Sequence, residues 1–150
     1  MTPLNLPQFE YKIKNEDGKT FLFDIIRKKF VVLTPEEWVR QHFVHYLINY
    51  YKYPKSLIKI ETGHRFNTLK KRSDIIIYNR QGKSLMVVEC KSVLEKINSK
   101  TFYQVATYNM TIKAKYLAVT NGLKHYCYIV NYDDNKYTFL DEIPSFEDVN

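Results

Sequence analysis

The stretch Val87-Val88-Glu89-Cys90-Lys91-Ser92 ends an apolar run with a carboxylate and an ammonium two residues apart. On a β-strand, side chains at that spacing share a face and stand about 6.6 Å apart along it. Drawing charge out of water is strongly unfavourable unless the charge is paired or bound to a metal. Asp74 opens the preceding apolar run, Asp74-Ile75-Ile76-Ile77-Tyr78, and Arg80-Gln81-Gly82-Lys83 supplies the turn that makes the two runs antiparallel neighbours. Asp74 then starts its strand where Glu89 finishes its own, so one end of a sheet gathers Asp74, Glu89 and Lys91. Two carboxylates and the backbone carbonyl of Cys90 are hard oxygen ligands suited to Mg²⁺, with Mn²⁺ able to substitute. A metal held there can polarise a phosphodiester, acidify a water and stabilise the oxygens of an in-line displacement. Lys91 would position the attacking water or neutralise charge growing on the phosphate. The same side chains would also serve as a partly solvated strand-end Glu–Lys pair, with Asp74 closing a turn. Two carboxylates held close repel, so removing Asp74 or Glu89 is expected to raise or preserve stability when no metal is bound.

Other spacings carry less. Gly18-Lys19-Thr20 and Gly82-Lys83-Ser84 spell the end of a phosphate-binding loop, but isoleucine (Ile13, Ile77) stands where the first glycine is required. His42 and His45 lie three apart, and Cys127 follows His125 at two, without a second ligand pair at zinc-site spacing. Histidines interleaved with Phe43 and Tyr46 read as packing or boundary residues.

The elements that must position the charged cluster follow from periodicity. Asn15-Glu16-Asp17-Gly18 turns a hairpin between the loosely alternating Phe9, Tyr11, Ile13 and Phe21, Phe23, Ile25. Phe30 to Leu33 is a short strand. Thr34-Pro35-Glu36-Glu37 opens a helix: Thr34 as N-cap, Pro35 at the first helical position and Glu37 placed for a capping box. That helix carries Trp38, Val39, His42, Phe43, Tyr46, Leu47 and Tyr50 at intervals of three and four, and Tyr53-Pro54 ends it. Strands follow at Leu57–Glu61, Ser73–Tyr78 and Leu85–Cys90, the last apolar on both faces as a doubly covered strand should be. Asn98 to Lys113 is a second helix, Tyr116 to Thr120 a further strand, and Cys127–Val130 with Tyr137–Leu140 a terminal hairpin across Asp133-Asp134-Asn135.

The chain has 150 residues, 45% hydrophobic and 26% charged, which is one domain with a proper core and not a disordered tail. No apolar run approaches the ~18 residues of a membrane span, and the first residues lack the basic and apolar regions of a cleaved signal. Cys90 and Cys127 build no disulfide framework. A cytoplasmic location is expected. Lys and Arg number 23 against 16 Asp and Glu, a net charge of +7 that attracts polyanions. Arg65, Lys70, Lys71 and Arg72, just ahead of the Asp74 strand, are the expected DNA-backbone contacts. The 13 tyrosines and 9 phenylalanines could stack on bases, although filling a core and its rim explains them more simply.

Taken together, five motifs resemble the PD-(D/E)XK nuclease superfamily, in particular the nuclease domain at the N-terminus of type I restriction enzyme R subunits. They are Leu33-Thr34-Pro35-Glu36-Glu37-Trp38-Val39-Arg40-Gln41, Arg72 to Tyr78, Val87 to Lys91, Gln104-Val105-Ala106-Thr107-Tyr108, and Leu117-Ala118-Val119-Thr120-Asn121-Gly122. The resemblance implies an α/β fold with a mixed central sheet, an αβββαβ restriction-endonuclease-like core over roughly 33–122, and flanking β-hairpins. It makes Asp74 and Glu89 metal ligands and Lys91 the catalytic lysine. It also casts Gln104 and Tyr108 as the QxxxY pair of the RecB-like members, supporting the site or touching DNA. A glutamate on the first helix completes the metal site in this family; Glu37 is chosen, with Glu36 adjacent to it. Ser73 stands where the superfamily has its proline.

The expected activity is Mg²⁺-dependent endonucleolytic hydrolysis of DNA by a single domain over 1–150. The alternative is a non-catalytic nucleic-acid-binding or assembly domain of a restriction or defence complex. Expected partners are DNA and restriction-modification or helicase subunits, with no membrane. In the restriction enzymes this domain precedes a helicase motor, for which 150 residues leave no room. That leaves a free-standing domain, a subunit that pairs with others, or an excised fragment.

Overall fold

The structure is a computed structural model that describes residues 2–61 and 74–149. Arg65, Lys70, Lys71, Arg72 and Ser73 lie outside the described residues. Three short strands come first: β1 (Ile13–Glu16), β2 (Lys19–Asp24) and β3 (Lys29–Val32), paired antiparallel in that order. The β1–β2 turn is made by Asp17 and Gly18, both at positive φ (51° and 75°), the twist that two-residue hairpins need. Phe9 and Tyr11 do not join this sheet. Their rings pack against Trp38, and Phe9 also stacks on His45, so aromatic packing on the helix wins over strand alternation.

Helix α1 (Pro35–Asn49) begins as its sequence predicts, with the Thr34 hydroxyl accepting from the Glu37 N–H at 3.0 Å. Only that half of the capping box forms. The Glu37 carboxylate turns instead to Arg27, Arg40 and Gln41, because bonds to charged donors are stronger than a return bond to the cap. The helix also stops at Asn49, short of the expected Tyr53-Pro54.

The second sheet holds six strands in the order β4-β5-β6-β7-β8-β9: β4 (Ile58–Ile60), β5 (Ile75–Tyr78), β6 (Ser84–Cys90), β7 (Tyr116–Thr120), β8 (His125–Asn131) and β9 (Lys136–Leu140). All neighbours are antiparallel except β6 and β7, which run parallel and are joined through α2 (Ser99–Ile112). The expected order of helix, three strands, helix and strand is thus present as α1, β4, β5, β6, α2, β7. The C-terminal hairpin, however, is no flanking decoration: β8 pairs along β7, so β8 and β9 extend the central sheet. A last short helix, α3 (Phe146–Val149), lays Phe146 on Tyr53.

Each face of the sheet has its own apolar layer. Val39, Phe43, Val44 and Leu47 of α1 pack on Ile75, Ile77, Met86, Val88 and Cys90. Val105, Ala106 and Tyr108 of α2 pack on Ile76, Val87, Leu117 and Val119. The alternation along β6 therefore assigns Val88 and Cys90 to the α1 face and Val87 and Glu89 to the α2 face. Helix α2 is held at both ends: Asn98 and Thr101 form a reciprocal capping box, and Lys113 closes the C-terminus in the left-handed region at φ 58°. No helix among the described residues is long and apolar enough to cross a membrane.

Both helices meet the sheet through capped N-termini. Thr34→Ala and Asn98→Ala should each lower unfolding free energy by about 1 kcal/mol, measured by urea denaturation, because each strands a backbone donor in the first turn.

Candidate active site

The antiparallel register of β5 and β6 pairs Ile75 with Val88, and the Asp74 N–H donates to the Val88 carbonyl at 3.2 Å. Asp74 therefore stands beside the end of β6 that carries Glu89, as the strand pattern predicts. The two acids are then treated differently. Asp74 is buried, with Oδ2 accepting from the Cys90 N–H at 2.7 Å and Oδ1 accepting from Arg40 Nη2 at 2.6 Å. Glu89 lies on the α2 face, and its Oε2 meets the Lys91 ammonium at 3.3 Å. Lys91 is itself held by its backbone N–H, which donates to the Thr120 carbonyl at the end of β7 at 2.8 Å.

Arg40 has no site role in the sequence pattern beyond its place in the first motif, yet it organises the α1 side of the site. Its guanidinium, 3% exposed, donates to Glu36, Glu37 and Asp74 at 2.6–2.7 Å. Burial alone would push its pKa down, but Asp74 and Glu37 outweigh that and hold it firmly charged. Glu37 engages Arg40 through Oε1 and both Arg27 and Gln41 through Oε2. Arg27 also pairs with buried Asp24, so the chain of ion pairs runs from the three-stranded sheet to Asp74. Glu36 is different: it is partly exposed and makes one ion pair, to Arg40 at 2.7 Å. Its charge nevertheless reaches the cluster, raising the proton affinity of both Asp74 and Glu89.

Burial raises the Asp74 pKa, and Arg40 pulls against that rise without overcoming it. Burial also pushes Glu89 up to about 8, helped by the negative charge of Asp74 and opposed by Lys91. For Lys91, burial opposes the charged form, yet Glu89 raises its pKa above the ordinary lysine value. The Cys90 thiol is fully buried and pushed well up, so it stays a neutral packing group while its backbone ties down Asp74.

Gln104 and Tyr108 both lie on α2 but meet different surroundings. Gln104 is exposed, whereas Tyr108 is buried and its hydroxyl donates to Glu61 Oε2 at 3.2 Å. Glu61, just past β4, also sends its N–H to the Asp74 carbonyl at 3.1 Å, which connects Tyr108 to the start of β5. Nothing in the local pattern distinguishes Glu61 from any polar residue at a strand end. For Arg40 a signal is present: it lies three and four residues beyond Glu37 and Glu36, within the apolar stripe of Val39 and Phe43. His42 meets the Trp38 carbonyl at 2.9 Å and His125 the Thr120 hydroxyl at 2.7 Å, so both serve packing. Both phosphate-loop look-alikes sit at strand turns without a following helix.

Among the described residues, no group of three or more His, Cys, Asp and Glu side chains is arranged to hold a metal ion. Mg²⁺ commonly binds through one or two carboxylates while keeping several waters. Asp74 and Glu89 are such an oxygen donor set. The donor chemistry fits Mg²⁺, although Arg40 and the Cys90 N–H already engage the two oxygens of Asp74 and Lys91 pairs with Glu89.

The asymmetry sets the two acids apart in what their removal should do to stability. Asp74→Ala removes one of the three carboxylates that compensate the buried Arg40 guanidinium and leaves the Cys90 N–H without its acceptor, and should cost on the order of 3 kcal/mol in urea unfolding. Glu89 behaves oppositely. The folded chain keeps a proton on it that the unfolded chain loses between roughly pH 4.5 and 8. Its contribution is present below that window and is lost as pH rises through it. Glu89→Gln should therefore flatten the fall in stability from pH 5 to 9, a fall of up to about 1.4 kcal/mol per pH unit, and should be more stable than wild type at the alkaline end.

The structure is similar to a fragment of an HsdR subunit of a type I restriction enzyme from Vibrio vulnificus YJ016, at 19% identity and a TM-score of 0.41. That match covers 61% of this chain and 17% of the other, so it spans under a fifth of its relative's length. No curated protein matches the sequence. The family model for the N terminus of type I restriction enzyme R proteins matches residues 35–144. That span runs from the first turn of α1 past β9 and takes in Arg40, Asp74, Glu89 and Lys91; the chain belongs to the type I restriction enzyme R protein N-terminus family.

Proposed function

We propose that this chain is a metal-dependent endonuclease domain of the PD-(D/E)XK type that hydrolyses DNA phosphodiester bonds. The observation that carries the reading is Glu89: a partly buried carboxyl near Asp74, pushed up to about 8, with the Lys91 ammonium 3.3 Å away. Buried acids of raised proton affinity beside a cation are a common mark of a working site. Family membership supports a restriction-modification setting, with DNA and other subunits of such a complex as partners.

Asp74, Glu89 and the Cys90 carbonyl would hold Mg²⁺ or Mn²⁺. Of the two helix glutamates, Glu37 is bonded to Arg27, Arg40 and Gln41, and Glu36, with one ion pair, adds negative charge that reaches Asp74 and Glu89. A divalent cation bound there supplies Lewis acidity toward the phosphodiester. Arg40 pulls against the rise in proton affinity that burial gives Asp74 and fixes its orientation. Lys91, steadied by Thr120 and Glu89, orients the attacking water or offsets charge on the phosphate. Tyr108 acts through Glu61 as a positioning residue for the β4–β5 end, and exposed Gln104 remains able to touch DNA.

One observation favours a second reading, a non-catalytic nucleic-acid-binding or assembly domain: Arg40 already neutralises Asp74. The two readings diverge in a plasmid-nicking assay paired with thermal melts. Wild type should nick supercoiled DNA with Mg²⁺ or Mn²⁺ and melt higher in their presence. Asp74→Asn and Glu89→Gln should lose both effects. Lys91→Ala should keep the metal-dependent shift in melting while losing cleavage on the order of 10²-fold, because an ammonium is no metal ligand. A wild type that ignores saturating Mg²⁺ and Mn²⁺ in its melting and nicks nothing sinks the nuclease reading.

A further inference from the structure

A cavity of 290 Å³ opens between the first turns of α2 and strands β7 and β8, lined by Phe102, Tyr103, Val119, Tyr126 and Tyr128 among others. We propose that it is a subsite for one unpaired base of a DNA strand, which makes single-stranded or locally unpaired DNA the substrate class. The proposal rests on the nuclease reading above and specifies its substrate.

Position is the first support. Register pairs Glu89 with Val119 and Val119 with Tyr126, so the three stand in one row across the sheet. All three lie on the α2 face, by the alternation that places Val87, Val119 and Val130 in that layer. Neighbouring strands are about 4.8 Å apart, which puts Tyr126 roughly 9.6 Å from Glu89 with Val119 as the floor between them. A ligand spanning Glu89–Lys91 and the cavity must therefore combine an anionic end with a flat apolar end at short reach. A nucleotide within a strand has that form: phosphate toward Lys91, base toward Tyr126.

Size and lining agree. Ligand pockets begin near 300 Å³, so this cavity takes a single ring system and not an extended molecule. Phe102 and Tyr128 form one wall, edge to face at 4.8 Å between ring centroids. Tyr103 stands at the rim with 67% of its surface exposed, its ring meeting Phe102 edge-on at 6.0 Å between centroids. Lys96, Lys100 and Lys124 are exposed on the segments that frame the opening, against one exposed acid, Glu95. Stacking faces inside a cationic frame are the recurrent design of single-strand binding surfaces. A base paired within a duplex cannot enter such a pocket, so the occupant is unpaired.

Fluorescence anisotropy in EDTA tests this without any cleavage, using a fluorescein-labelled oligothymidylate and a blunt duplex of equal length at one salt concentration. Wild type should bind the single strand at least about tenfold more tightly than the duplex. Tyr103→Ala and Tyr126→Ala should each weaken single-strand binding about tenfold and leave duplex binding unchanged, while Tyr126→Phe retains affinity. Tyr103, being largely exposed, can be truncated without unfolding the chain, so a failure of Tyr126→Ala to fold does not shelter the idea. Equal affinity for the two DNAs, or unchanged single-strand binding by Tyr103→Ala and Tyr126→Ala, overturns it. Strand binding through Tyr126 without any nicking by wild type in Mg²⁺ or Mn²⁺ would overturn the nuclease reading and leave the base subsite standing.

Discussion

The contact between Asp74 and Arg40 is the point at which three remote parts of the chain are held together. One oxygen of Asp74 takes the guanidinium from α1 and the other takes the Cys90 N–H from the end of β6, while Asp74 itself begins β5. Desolvating a carboxylate and a guanidinium is strongly unfavourable, and their attraction offsets it only when the remaining donors and acceptors are also met. Here Glu36 and Glu37 take the other Nη donors of the arginine and a backbone amide meets the aspartate, while Arg40 Nε, buried as well, has no partner among the described residues. The pair therefore acts as a registration device: α1 cannot slide along the sheet, nor β5 slip against β6, without leaving a buried charge uncompensated.

From that point the constraint passes outward in both directions. Through Glu37 it reaches Arg27 and Asp24, which dock the three-stranded sheet against the start of α1. Through Cys90 it fixes the strand end that carries Glu89 and Lys91. The apolar layers on the two faces of the sheet reach this end at Cys90 and Val119, and Glu89 and Lys91 beside them are only partly buried. Burial and the nearby charge of Asp74 push Glu89 up to about 8, with Lys91 as its ion-pair partner opposing the rise, while Asp74 serves as an anchor. Two acids of similar chemistry thus differ in consequence: one anchors the fold, the other holds its proton to unusually high pH.

Local features were the legible ones. The Asp17-Gly18 turn, the Thr34 cap, the span of α2 from its Asn98 cap, and the antiparallel meeting of Asp74 with Glu89 all follow from residues close in sequence. What could not be read locally was membership and side. That β8 and β9 lengthen the central sheet depends on the free edge of β7, which no pattern within the hairpin reports. Phe9 and Tyr11 alternate like strand residues, yet their rings found Trp38 a better surface than a sheet edge. Glu36 and Glu37 are adjacent, but successive residues on a helix point about 100° apart. Only the placement of Arg27 and Gln41 decides which carboxylate is consumed by structure. Tyr103 and Tyr126, lost among many aromatics in the sequence, come to one cavity only when α2 is laid over β7 and β8.

The kinds of element, their order, and the chemistry of the charged cluster are properties of the sequence alone, because hydrophobic period, turn residues and acid–lysine spacing act over a few residues. Which charges cancel is a matter of tertiary placement. Arg40 reads as an ordinary helix arginine until α1 is laid across the end of the sheet, where burial strips its water and leaves Asp74, Glu36 and Glu37 as its solvent. The energy of a charge depends on everything within several ångströms in space, and sequence proximity supplies only part of that neighbourhood.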